Sequence, residues 1–158
     1  MKVEINGGLF ALVNDEDCEF LSQWKWHLSG GYVQRTFRTD NGRVLSAKMH
    51  REVLKRSGMD LSGKIVDHIN FNKLDNRREN LRLATSSQSN AHKKPQLNNT
   101  SGYKGVSWDK SKGKWKAAYA FRKKDYHIGY FNDVIEAARA YNEIVKVKYN
   151  NYAYLNEL

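Results

Sequence analysis

The chain has 158 residues, 40% of them hydrophobic, with a formal charge of +10 and a pI of about 9.7. That length suits one large domain or two small ones, and four Trp, nine Tyr and six Phe make small, aromatic-centred cores feasible. The single cysteine, Cys18, excludes an internal disulfide and a Cys-rich zinc knuckle. No apolar run approaches the roughly 20 residues of a bilayer crossing, and no signal-peptide core opens the chain, so a cytoplasmic, reducing setting is expected.

The first 49 residues read mostly as strand. Gly7-Gly8 precedes the apolar run Leu9–Val13. Asn14 and Asp15-Glu16-Asp17 look like the cap and acidic first turn of a short helix reaching about Gln23. Trp24 and Trp26, two apart, suit one face of a strand. Tyr32–Thr39 alternates, and Asp40-Asn41-Gly42 predicts a hairpin into Arg43–Met49. His50–Arg56 reads as a short helix stopped by Ser57-Gly58. Residues 1–60 carry nine basic against eight acidic side chains, so the excess charge lies elsewhere. Arg35, Arg38, Arg43 and Lys48 could touch phosphate from the hairpin, or could be ordinary solvated strand residues.

The most polar chemistry lies between Val66 and Lys93. A short apolar strand, Ile65-Val66, ends in Asp67-His68. An Asn-rich loop with Asn70, Asn72, Asn76 and Asn80 follows, and Asn and Asp suit loops because they tolerate left-handed backbone and bond to it. Leu81 and Leu83 alternate as a second strand. Thr85 and Gln88 match a capping box, which starts a helix near Ser86. A compact ββα unit results, with Asn90 on its helix. A carboxylate and an imidazole on adjacent residues, joined by distant amides, could form a single-metal hydrolytic site.

Residues 91–102, with Lys93-Lys94 and the only proline, Pro95, have the composition of a linker. Beyond it three strands are predicted, over Tyr103–Trp108, Lys114–Arg122 and Tyr126–Phe131. Asn132-Asp133 then opens a helix whose Val134, Ala137, Ala138, Tyr141 and Val145 fall at helical spacing. From Lys104 to Lys124 there are eight basic residues and one acidic, which concentrates the positive charge here and favours a nucleic acid as partner. In the second strand Trp115, Ala117, Tyr119 and Phe121 would pack on the helix. Lys116, Ala118, Ala120 and Arg122 would leave a basic open face able to enter a DNA major groove.

Two resemblances follow from these residues. Asp67-His68, Asn80-Leu81-Arg82 and Asn90, with Met49-His50-Arg51 upstream and Asn72–Asn76 in the loop, resemble the HNH endonuclease motif in its phage and mobile-intron homing form. Tyr103-Lys104-Gly105-Val106, Gly113-Lys114-Trp115, Ile128-Gly129-Tyr130-Phe131 and Glu136–Tyr141 resemble the Apetala/ethylene-response-factor DNA-binding domain, with Leu155-Asn156 matching its ending. Ala118, Ala120 and His127 depart from that domain's usual residues, so its target sequence does not carry over.

The resemblances imply an α+β chain. A β-rich region would span 1–46, a ββα-metal (HNH, His-Me finger) unit 47–94, a linker 95–102, and a three-stranded antiparallel sheet packed on one helix 103–158. They imply a metal-dependent DNA endonuclease, in which Asp67 and Asn90 (or His92 in its place) hold Mg2+, with Mn2+ as an alternative. His68 would act as general base, Asn80 would orient it or close the loop, and His50 and Arg51 would support the site. Lys104, Trp108, Lys114, Lys116, Arg122 and His127 would contact double-stranded DNA. No membrane or protein partner is implied, monomer and dimer stay open, and a single active-site set implies one cut per protomer. The competing expectation is a DNA-binding regulator with an inactive nuclease half.

Overall fold

The computed structural model describes Met1–Leu158, and the chain divides into two compact units, Met1–Ala84 and Thr85–Leu158. It is a mixed chain of small antiparallel sheets and four α-helices. No helix is long and apolar enough to cross a membrane.

The first unit opens with a hairpin of β1 (Lys2–Ile5) and β2 (Leu9–Leu12). Alternation sends Val3 and Ile5 inward and Lys2 and Glu4 outward. Helix α1 (Asp15–Ser22) follows, with three acids in its first turn, where the helix dipole favours them. Strands β3 (His27–Ser29), β4 (Tyr32–Arg38) and β5 (Val44–Lys48) form a meander, and β4 and β5 meet through the expected hairpin. Helix α2 (Met49–Arg56) buries Met49, His50, Val53 and Leu54, one stripe at helical spacing. Strands β6 (Ile65–His68) and β7 (Leu81–Ala84) pair antiparallel and give Val66 and Leu81 to the same core.

Trp24 and Trp26 do not form the expected strand face. Trp26 makes an isolated bridge to Ile5 and donates its indole N–H to the Leu21 carbonyl at 2.7 Å. Trp24 lies under the Arg35 guanidinium, 4.2 Å from its ring centroid. Cation–π stacking and a buried indole bond win over alternation here.

A buried carboxylate ties this unit together. Asp17 is fully buried on α1 and takes a two-point bond from Arg78, at 2.8 and 2.7 Å, with Arg56 3.4 Å away. Arg78 opens a 3₁₀ turn, Arg78–Asn80, immediately before β7. The paired guanidinium offsets the cost of burying Asp17 and fixes where the loop after His68 ends.

The second unit begins with α3 (Ser86–His92), whose capping box is present as expected: Gln88 N–H donates to Thr85 Oγ1, and Thr85 N–H to Gln88 Oε1. Strands β8 (Val106–Asp109), β9 (Lys114–Phe121) and β10 (Lys124–Phe131) form an antiparallel sheet, and α4 (Val134–Tyr149) packs on one face through Ala137, Ala138, Tyr141 and Val145. Small alanines there let the helix approach Ala117 and Val106 closely.

The first strand of this sheet starts at Val106 rather than Tyr103. Gly105, at φ +75°, breaks the extended run, and an added Cβ would overlap the Tyr141 ring and lie 2.7 Å from the Ala118 carbonyl oxygen. Arg122 and Lys123, both left-handed, make a tight two-residue turn between β9 and β10. Asn156 closes the unit. Its side chain accepts from Lys104 N–H at 2.8 Å and donates to Lys104 O at 3.1 Å, while its backbone exchanges two bonds with the Asn142 amide.

Candidate active site

Within β6 and β7, register places Asp67 opposite Arg82 and His68 opposite Leu81. Arg82 Nε and Nη2 both donate to Asp67 Oδ2, at 3.1 and 3.0 Å. His68, buried, ends its strand where the Asn-rich loop begins.

Asn80 closes that loop. Its backbone carbonyl accepts from Ile69 N–H at 2.9 Å, its Oδ1 from Asn70 N–H at 3.0 Å, and its Nδ2 donates to Asp75 O at 2.8 Å. The far side of the loop is stitched to β2. Leu12 N–H donates to Leu74 O and Asn76 N–H to Leu12 O, each at 2.8 Å. Asp75 is almost fully buried and is gripped by Arg77 through two 2.8 Å bonds, and its carboxyl is held below the usual range mainly by them. The loop is polar yet fixed at both ends.

Asn76 decides the protonation of His68. Its Nδ2 donates to Lys73 O at 3.3 Å, which turns Oδ1 toward His68 Nε2, also at 3.3 Å. An amide oxygen only accepts, so neutral His68 carries its proton on Nε2 and leaves Nδ1 as the basic nitrogen. Burial pushes the His68 imidazole below its ordinary value, against the opposing pull of the Asn76 bond and the Asp67 charge.

His50 stands edge-on to His68 with ring centroids 5.1 Å apart, and Tyr32 tilts against both. Burial, then the neighbouring His68, lowers the His50 pKa to about 3, and its buried Nδ1 has no hydrogen-bond partner. Arg51 donates to Lys64 O at 3.2 Å, at the foot of β6. Asp67, His68, Asn80, His50 and Arg51 thus all lie in the first unit.

Asn90 and His92 belong to the second unit. Asn90 is exposed and its Oδ1 accepts from Lys93 Nζ at 2.8 Å, whereas His92 is buried. No group of three or more His, Cys, Asp and Glu side chains is arranged to enclose a metal ion. Asp67, the carboxylate at the strand end, is engaged by Arg82, so an ion held there would take most of its shell from water and phosphate oxygens.

The residues expected to contact DNA separate into groups. Lys114, Lys116 and His127 share the face of the sheet turned away from α4, by strand alternation and register. Arg122 sits in the turn, its guanidinium 5.2 Å from the Phe121 ring. Trp108 stands opposite Trp115 on the other face, with ring centroids 5.1 Å apart. Lys104 does not present its charge to a ligand: Nζ donates to the carbonyls of Asn90, Ala91 and Lys93 at 2.9, 2.5 and 2.6 Å. An ammonium on the last carbonyls of α3 is a helix cap. Burial and Lys93 bring its pKa down to about 8.

Asn76, Asp75, Tyr32 and Lys73 carry more of this geometry than the sequence reading assigned them. The one signal in the sequence was the density of Asn and Asp in the loop.

Residues 47–91 match the family profile described as HNH endonuclease. An uncharacterized HNH endonuclease of Acanthamoeba polyphaga mimivirus is 29% identical over 156 residues, which span 96% of this chain and 76% of the relative. Protein 3.8 of Escherichia phage T7 is 35% identical over 66 residues, 42% of this chain and 54% of that protein. No solved structure is significantly similar.

Proposed function

With an HNH endonuclease domain at residues 47–91 and the chain therefore a nuclease, we propose that it is a metal-dependent endonuclease of the homing type that hydrolyses phosphodiester bonds in double-stranded DNA. The observation that carries this reading is His68. It is a buried, neutral imidazole at a strand end, directly after Asp67 in the chain, with its tautomer fixed by Asn76.

In this reading His68 Nδ1 takes a proton from the attacking water as its oxygen bonds to phosphorus, and the bond from phosphorus to the 3′ oxygen breaks. Asn76 keeps the base in its working tautomer, and Asn80 keeps the loop closed around it. Asp67 would help to hold a divalent ion, Mg2+ by donor chemistry. When bound, such an ion supplies charge stabilisation to the scissile phosphate and the leaving oxygen. Of the two residues that the motif offers as a second ligand, Asn90 is exposed and His92 is buried.

The second unit is read as an Apetala/ethylene-response-factor-type module that holds DNA. Its support is a three-stranded sheet covered by a helix on one face, with Lys114, Lys116 and His127 on the other and Arg122 in the adjoining turn. Lys104 leaves the contact set as the cap of α3, and Trp108 leaves the open face.

The test is cleavage of supercoiled plasmid with Mg2+, with and without EDTA. His68→Ala is expected to lose cleavage by about three orders of magnitude while binding the same DNA. Undiminished cutting by that variant defeats the assignment. One set of catalytic groups per chain predicts that nicked circles accumulate before linear DNA.

A further inference from the structure

Tyr32 opens β4 directly after Gly30-Gly31, and its ring leans on both His50 and His68. Two lysines from distant parts of the chain converge on this ring. Lys48, the last residue of β5, places Nζ 4.7 Å from the ring centroid, and Lys73, from the Asn-rich loop, places Nζ 4.0 Å from it. The backbone makes room for the second. Gly31 has φ +76°, and a Cβ there would lie 3.2 Å from Lys73 Nζ.

The charges around these lysines are unevenly matched. Asp67 is paired with Arg82 and Asp75 with Arg77, while neither Lys48 nor Lys73 takes part in an ion pair. An aromatic face rewards one ammonium. A second at the same ring adds like-charge repulsion, which an anion between or beside them would relieve. The two lysines are thus charges at this ring that no ion pair offsets.

The geometry points to Lys48 and Lys73 as a phosphate clamp that seats the DNA strand to be cut beside His68, with Tyr32 as the platform that positions both ammonium groups. This rests on the nuclease reading of the same site. Lysine acts here as a point charge on a flexible stem, able to follow a phosphate while its stem stays against the ring.

The test uses the full chain and a short DNA duplex, and begins with binding in EDTA. Lys48→Gln and Lys73→Gln are each expected to reduce the slope of log K against log salt by about 0.9, and the double variant by about twice that. Single-turnover cleavage at saturating DNA with Mg2+ should then fall about tenfold to a hundredfold in Lys73→Gln, and Lys73→Arg should recover most of it. Tyr32→Phe, which keeps the ring, should behave as the parent, whereas Tyr32→Leu should follow the lysine variants. Matched thermal melts identify variants that remain folded. A folded double variant with an unchanged salt slope overturns the clamp, whether or not the parent protein cuts. A parent that binds with the expected slope but never cuts defeats the nuclease reading and leaves the anion site standing.

Discussion

The two units of this chain are built on different principles. The first buries Asp17, His50, His68, Asp75, Asn76 and Asn80 among its apolar side chains, whereas the second buries alanines and tyrosines with only His92 and Asn156 as polar company. Buried polar groups stabilise little in net terms, and an unmatched one is costly. What they provide is a single geometry, since each bond is satisfied in one arrangement only. The unit with the nuclease motif is thus specified by polar matching, and the unit with the basic sheet by close packing.

The comparison breaks if the first unit tolerates loss of a polar partner. Asp17→Ala removes the carboxylate that holds Arg78 and Arg56, both partly exposed, and should destabilise the first unit by about 3 kcal/mol through the lost charge-assisted bonds. Hydrogen exchange read separately on peptides from 1–84 and 85–158 would show whether the loss stays in the first unit, as expected. The matching experiment on the other side is Gly105→Ala. The methyl group would collide with Tyr141 and sit at a left-handed residue, so the second unit should lose about 2–3 kcal/mol. Exchange that rises instead throughout 1–84 would mean that packing and polar matching are not divided between the units.

A smaller effect sharpens the comparison through pH. His50 titrates at about 3 when folded and near its ordinary value of 6.5 when unfolded. Below 6.5 the unfolded chain takes up a proton that the folded chain refuses, so stability is complete above that pH and falls as acid is added toward 3. The loss should reach on the order of 2 kcal/mol by about pH 5. Urea midpoints measured across this range should be flatter for His50→Phe than for the parent. Equal slopes would place the acid sensitivity elsewhere.

Much of the framework was legible in the sequence because it depends on neighbours. The Thr85–Gln88 capping box, the acidic start of α1, the β4–β5 hairpin and the alternation of β9 are all set within a few residues. What escaped involves partners remote in the chain. Trp24 read as one side of a strand because nothing local announces that Arg35 will lie over its ring. Lys104 read as a DNA contact because composition counts its charge but not the three carbonyls that claim it. In the candidate site Asp67 and His68 stood out as a pair, yet Asn76, which sets the tautomer of His68, looked like one more loop amide.

Lys104 has a consequence for anyone dividing this protein into parts. Helix α3 has seven residues, too few to hold together alone, and it ends on an ammonium supplied from beyond Pro95. A fragment cut at the apparent linker would keep the sequence of the HNH motif and lose the folded turn that bears Asn90. In any truncation or module exchange α3 and the sheet that caps it are therefore expected to travel together.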